Sequence, residues 1–251
     1  MGTDLTGGVE FRLGGVGGPW ELTDLSVDCI GRDYDAFGLF FGVRNYAGFA
    51  PIAAGRGLPD DASAELLDLI NEPVYDRTFI TAADLAAVDW NKKALTTDGR
   101  MHDYAYRDGQ LVEVGKGFPG DRWQEVAGPD APRDGRYFPE GTEWVVGERI
   151  YRVERLVQCD VLRHNSGLRE LVASMLELGR SHGGQNVRLV VWFDQPAAAD
   201  RHAGNRPVTG SPRQKVRVFV WPANRRVGDP PLTGSPRQSD RFGGRADGKS
   251  A

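Results

Sequence analysis

The sequence predicts an α+β fold for residues 1–195, with a mixed or antiparallel sheet and about four helices, followed by a disordered tail. Short runs of alternating or continuous apolar residues predict strands, and one long stretch has the apolar spacing of an amphipathic helix. Composition then changes abruptly after residue 195. With 251 residues, of which 40% are hydrophobic, the chain can build one medium-sized core.

The first half of the chain alternates strand and helix signals. Residues 9–13 alternate apolar and polar side chains, and a second strand region is expected within residues 20–30. Asp33 can cap a helix that runs to Arg44 and buries phenylalanines at i, i+3 and i+4 spacing. Asp61 or Ser63 caps a second helix.

The second half contains the strongest patterns. Thr81 and Asp84 resemble a capping box that opens a short helix. Residues 96–140 are poorly patterned and are expected to form an irregular excursion that includes a small hairpin at 104–112. A ribbon over 143–162 turns at Gly147, and Ser166 caps the clearest helix. The apolar run 187–194 suits a central strand.

The predicted tail, residues 196–251, differs from the rest in charge. It contains 11 Lys or Arg and four Asp or Glu, a net charge of +7, which leaves −11 for residues 1–195 within the total of −4. The hexapeptide Thr-Gly-Ser-Pro-Arg-Gln occurs at 209–214 and again at 233–238. Between the copies, an apolar segment at 216–221 either adds a strand to the body or pairs with nothing.

Charge and cysteine content limit the classes of partner and the location that the sequence predicts. The acidic body disfavours nucleic-acid binding, because phosphate contacts dominate that affinity, whereas weak contacts by the basic tail are compatible with the sequence. Two distant cysteines and no apolar run long enough to cross a bilayer predict a cytoplasmic protein with no membrane partner. Four scattered histidines and a glycine-rich turn at 14–18 match no metal, phosphate-loop or dinucleotide motif, so no metal and no cofactor is predicted.

The strongest candidates for ligand binding are Arg44 and Asn45 at the end of the first helix, with Arg56 and Gly57 in the next loop. Arginine presents a fork of donors suited to carboxylates and phosphates, so the two side chains could hold an anion. The alternative is that both arginines pair with neighbouring acids at positions 33, 35, 60 or 61, and the abundance of these acids favours it.

Three carboxylates are weaker candidates for catalysis. Asp33 and Asp35 flank a tyrosine, and paired carboxylates can perform acid–base chemistry. At the start of a helix, however, such residues more commonly serve as a cap and as partners of the helix dipole. Asp194 ends the last apolar strand, which is a common position for a site and also an ordinary end for a strand.

Several ordered motifs resemble a family of small proteins of unknown function that is frequent in tailed bacteriophage and prophage genomes. They are Arg-Asp-Tyr-Asp-Ala-Phe at 32–37, Val-Arg-Asn at 43–45, Arg-Gly-Leu-Pro-Asp-Asp at 56–61 and Val-Arg-Leu-Val-Val-Trp-Phe-Asp at 187–194. The resemblance covers residues 30–95 and 166–195. Members often carry an Asp-Gly-His-Ser segment, where this chain has Val-Tyr-Asp-Arg-Thr-Phe at 74–79 without the histidine.

The resemblance implies a phage origin and the host cytoplasm as location, with no assigned activity. We therefore expect an accessory protein that binds a host protein or a small anionic ligand. An enzyme acting on a phosphate-containing substrate, through Asp33 or Asp35, is the first alternative. A minor virion component is the second, and the acidic body and short length favour it least.

Overall fold

The computed structural model describes residues 2–13, 17–71, 73–118 and 128–195, and every structural statement below refers to these residues. Three expectations lie outside the described residues. They are most of the glycine-rich turn at 14–18, the disordered tail at 196–251 with its duplicated hexapeptide, and the additional strand at 216–221.

Two four-stranded antiparallel sheets form the framework, which confirms the α+β class and the antiparallel alternative. The first sheet has the order β2-β1-β8-β3 and the second has the order β5-β4-β7-β6. The strands are β1 (Leu5–Arg12), β2 (Trp20–Leu22), β3 (Tyr75–Thr81), β4 (Met101–Arg107), β5 (Gln110–Gly117), β6 (Glu143–Val146), β7 (Arg149–Arg152) and β8 (Val187–Phe193).

Five α-helices lie among the described residues, one more than expected, and most are short. They are α1 (Tyr34–Ala36), α2 (Ala64–Leu67), α3 (Ala82–Ala86), α4 (Gln158–His164) and α5 (Ser166–His182). A π-helical turn (Phe37–Phe41) continues α1, and 3₁₀ turns occupy Asp28–Ile30, Gly135–Tyr137 and Gly184–Asn186. Asn165 caps α5 through a bond from the Leu168 N–H, so the cap precedes the expected residue by one position.

The central strand β8 separates two apolar layers, as its near-continuous apolar sequence predicts. Each of its residues is buried, because β1 and β3 pair with it on either side and both faces are covered. Leu189, Val191 and Phe193 join the main core, which includes the apolar stripe of α5. Val190 and Trp192 point to the other face and pack with Leu66 of α2.

The helix expected over residues 33–44 is shorter than predicted. After α1 and its π-helical turn, the backbone enters the left-handed region at Gly42, with φ of 76°, and the helix ends. A Cβ at Gly38 would lie 2.8 Å from Oδ1 of Asn45, so a glycine is needed where the returning chain packs on the turn. Arg44 therefore lies in a loop rather than on a helical face.

The irregular excursion expected over 96–140 contains ordered structure. Its strands β4 and β5 form a longer hairpin than predicted, and β4 also pairs with β7. The β6–β7 ribbon turns at Gly147 as predicted, but α4 replaces its continuation, with the Asp160 carboxylate accepting from the Val157 N–H at 2.9 Å. Local sequence could not show the β4–β7 pairing, because its strands are more than 40 residues apart.

Candidate functional site

Arg56 and Gly57, two of the predicted ligand-binding residues, form hydrogen bonds within the fold. The guanidinium of Arg56 forms a two-pronged ion pair with Asp84, at 2.6 and 3.1 Å, and also donates to the backbone oxygens of Ile52 and Phe79. Gly57 has a φ of 79° and its N–H donates to the Arg77 oxygen at 3.1 Å. Arg56 is therefore paired with an acid, as the alternative supposed, but the partner is Asp84 of α3 and none of the acids at positions 33, 35, 60 or 61.

Asn45 also has a structural role. Its side-chain amide donates to the Phe49 oxygen at 2.8 Å and accepts from the Phe49 N–H at 3.0 Å, which closes the loop between them. These two bonds use both ends of the amide. Asn45 therefore shapes the loop beside Arg44 and leaves little amide capacity for a ligand.

Arg44 differs from the other arginine of the predicted pair. Its Nε donates to Oγ1 of Thr3 at 2.9 Å, whereas its two terminal nitrogens have no acceptor among the described residues. The residue is partly exposed, and neither terminal nitrogen is among the buried side-chain atoms that lack a hydrogen-bond partner. The backbone of Arg44 is left-handed, with φ of 51°, a conformation that is uncommon outside glycine and is frequent at functional positions.

A second hydrogen-bond donor lies beside Arg44. Buried Thr3, which binds Arg44 through its side chain, donates its own N–H to the Tyr34 hydroxyl at 3.2 Å. The Tyr34 ring is held edge-on against Phe37 and Tyr46, with centroids 5.7 and 5.8 Å apart. The hydroxyl proton of Tyr34 has no acceptor in the described part of the chain. Arg44 and Tyr34 thus share Thr3 as an anchor and both retain donors, and we call them the Arg44 site.

Two of the predicted catalytic carboxylates serve local structure. Asp33 caps α1, accepting from the N–H groups of Asp35 and Ala36 at 3.1 Å, and its second oxygen accepts from the Asn165 amide at 3.1 Å. Asp194 accepts from the Asp4 N–H at 2.8 Å at the end of the first sheet. The cap and the strand-end interpretations therefore account for the contacts of both carboxylates.

Asp35, in contrast, joins a buried ionic cluster that the sequence did not indicate. The cluster connects α1 to the second sheet and consists of Asp35, Asp98, Arg100, His102, Glu113 and Lys116. The Arg100 guanidinium contacts Asp35 and forms a paired bond with Asp98, at 2.6 and 2.9 Å, and Lys116 contacts the other oxygen of Asp35. Ion pairs of the cluster therefore link the second sheet to α1.

His102 lies between two carboxylates inside this cluster. Its Nε2 is 3.3 Å from Asp98 and its Nδ1 is 2.9 Å from Glu113. Burial favours the neutral ring, but the hydrogen bonds to Asp98 and Glu113 outweigh it and raise the pKa of His102 to about 9. Because both nitrogens then carry protons, the imidazolium has no lone pair and cannot act as a general base.

The charges of the cluster stabilise one another. Burial opposes the ionisation of Asp98, yet hydrogen bonds from His102 and Arg100 hold the pKa of its carboxyl below the ordinary value. The pKa of Glu113 is also lowered, since the bond from His102 outweighs the effect of burial. Burial likewise disfavours charged Arg100, but its bonds to Asp98 and Asp35 raise its pKa. The arrangement is an internally neutralised network.

A sequence signal for part of the cluster existed. Asp98 and Arg100 lie just before β4 and His102 is its second residue, so three ionisable residues alternate with other residues in this short stretch. The partners Asp35 and Lys116 gave no such signal, because they are 81 residues apart.

Other kinds of site find less support. Among the described residues, no group of three His, Cys, Asp or Glu side chains is placed to hold a metal ion. No helix within the described ranges is long and apolar enough to cross a membrane. In comparisons with known proteins, no family model matches this sequence, and neither a curated protein nor a solved structure matches it.

Proposed function

We propose that this chain is a phage-encoded accessory protein that acts by binding, and that it holds a carboxylate or phosphate group at the Arg44 site. The observation that carries the proposal is Arg44 itself. It combines an uncommon left-handed backbone with two guanidinium nitrogens that no described acceptor engages. The phage origin and the host cytoplasm as location rest on the resemblance of the motifs.

The chemistry of the Arg44 site supports an anion. A guanidinium whose Nε is fixed by Thr3 presents its terminal nitrogens in a defined plane, which suits two oxygens of one carboxylate or phosphate. The Tyr34 hydroxyl supplies another donor from the same neighbourhood. Arg56, Arg100 and Arg188 differ from Arg44, because each of them is neutralised by a carboxylate.

Two sources can present such a group. A small anionic ligand such as a nucleotide would bring a phosphate, and a host protein would bring an acidic side chain. An enzyme using Asp33 or Asp35 receives less support, since Asp33 caps α1 and Asp35 is neutralised by Arg100 and Lys116. No described feature favours a virion component.

The test is thermal stability of the full chain in the presence of a panel of nucleotides and dicarboxylates. A bound ligand raises the melting temperature of the native protein by mass action. We expect a shift for the wild type and no shift for Arg44→Ala. Arg180→Ala is the matched control, because Arg180 is an exposed arginine of α5 paired only with Glu177, and it should retain the wild-type shift.

Two further variants separate folding from binding. Arg44→Gly relieves the left-handed strain and should be more stable than Arg44→Ala by about 1 kcal/mol, although both lack the guanidinium. Tyr34→Phe retains the ring and should weaken binding through loss of one donor. An equal shift in Arg44→Ala and wild type would refute the site. Absence of any shift across the panel would refute the small-ligand version.

A further inference from the structure

The two sheets have four outer strands, and three of them carry features that discourage pairing with another chain. β2 has only three residues and is centred on Glu21. The pairing of β3 shifts between Tyr75 and Thr78, and the Gly57 N–H already donates to the Arg77 oxygen on that strand. β5 has an irregular register opposite Asp103 and two glycines. Bulges, short length and charge are the usual protections of edge strands.

β6 is also short, with four residues, but it has no bulge and its one charged residue, Glu143, is its first. It is the outermost strand of the second sheet, its register with β7 is continuous, and its last three residues are Trp144, Val145 and Val146. Val145 is 69% exposed, the largest exposure of any large hydrophobic residue in the described chain. An uninterrupted apolar edge of this kind is suited to pairing with a further strand.

The sheet face that bears Val145 carries further apolar and aromatic residues beyond the edge strand. Val145 lies opposite Ile150, Ile150 lies opposite Tyr104, and Tyr106 follows two positions along β4 on the same face. Tyr106 is 66% exposed. Tyrosine with aliphatic neighbours at the centre of a patch is the composition found in protein interfaces.

The charges around this face are matched within one chain. Glu143, the charged residue of β6, pairs with Arg152 at 2.6 Å, and Arg152 lies 3.5 Å from Glu154. Arg149 pairs with Asp103 at 2.8 Å on the opposite face of the sheet. The edge therefore presents neither a strong positive nor a strong negative charge. Because the charge on this surface is paired within each chain, two identical surfaces can come together without like-charge repulsion.

From these observations we propose that a second copy of this chain pairs with the first along β6. Two β6 strands related by a two-fold axis run antiparallel and extend the second sheet to eight strands. The two Val145 side chains then lie on the same face next to each other and are removed from water. The contact is isologous, since each copy contributes the same residues, and it closes as a dimer.

The short length of β6 limits the strength of this dimer. A contact based on a four-residue strand and one face falls at the small end of specific interfaces, so dissociation in the roughly micromolar range is expected. The dimer should therefore depend on protein concentration.

The test is sedimentation velocity of the full chain from about 1 to 500 µM, a range chosen to bracket that affinity. The wild type should move from 27.5 kDa towards twice that mass, and Val145→Lys should remain monomeric. Leu95→Lys is the matched control, since Leu95 is 63% exposed and lies outside both sheets, and it should dimerise as the wild type does. Unchanged melting temperatures check that both variants fold.

Two outcomes would overturn the proposal. One is a dimer that persists in Val145→Lys, which places the contact elsewhere. The other is a wild type that stays monomeric throughout the range.

Discussion

Replacement of Arg100 by methionine should destabilise the protein strongly, because Arg100 is the central cation of the buried ionic cluster. Its side chain is 9% exposed and makes three charge-assisted contacts, two with Asp98 and one with Asp35. Removing one member of a buried ion pair costs about 3–5 kcal/mol, since the remaining charges lose their partner. Asp98 retains His102, and Asp35 retains Lys116, so the lower end, about 3 kcal/mol, applies.

Urea unfolding followed by tryptophan fluorescence measures this loss directly, and at this chain size about 3 kcal/mol corresponds to a fall of roughly 6–12 °C in melting temperature. Arg180→Met is the matched control, because its pair with Glu177 is exposed and should contribute little to the free energy of unfolding. Adding Asp98→Asn to Arg100→Met should restore part of the stability, because it returns the cluster to equal numbers of positive and negative charges. A loss below about 1 kcal/mol in Arg100→Met would refute the assignment of a structural role to the cluster.

Three further predictions concern single groups. The pKa of His102 is raised from 6.5 to about 9. Its contribution to the free energy of unfolding is therefore complete below pH 6.5 and is lost as the pH rises through 9. An imidazole ring that titrates near pH 6.5 by NMR would contradict this. Thr81→Ala removes the capping box of α3 and should cost about 1 kcal/mol in urea unfolding, whereas no change would show that Asp84 alone caps the helix. Gly38→Ala forces a Cβ against Asn45 and should cost roughly 1–3 kcal/mol, and an equally stable variant would show that the loop yields.

The sequence predicted those elements whose signals are local. Ser63 caps α2 through the Leu66 N–H, and Thr81 with Asp84 forms the expected capping box, because each motif lies within four residues. The central position of β8 also followed from its own apolar sequence. Helix length was less predictable, since the left-handed backbone at Gly42 depends on the chain that packs against it.

Distant partners set the limit of prediction for the candidate site. Arg56 and Arg44 were equivalent in sequence, yet Asp84 neutralises one of them from a position 28 residues away. Asp35 had the signature of a helix-start carboxylate, and its actual partners Arg100 and Lys116 come from a sheet that the sequence did not reveal. The charge of each residue was therefore known from the sequence, whereas the residue of opposite charge that pairs with it in the fold was not.

Charges that are neutralised within the fold and charges that are not lie in different parts of this protein. In the buried ionic cluster each charged group meets an opposite charge, so a ligand would have to break existing ion pairs to bind there. At the Arg44 site, binding replaces only water on the guanidinium nitrogens, and no described ion pair is lost. The left-handed backbone costs energy, and the Thr3 bond holds the side chain in place. An uncommon backbone and free guanidinium nitrogens coincide at Arg44, which is why we propose to test binding there first.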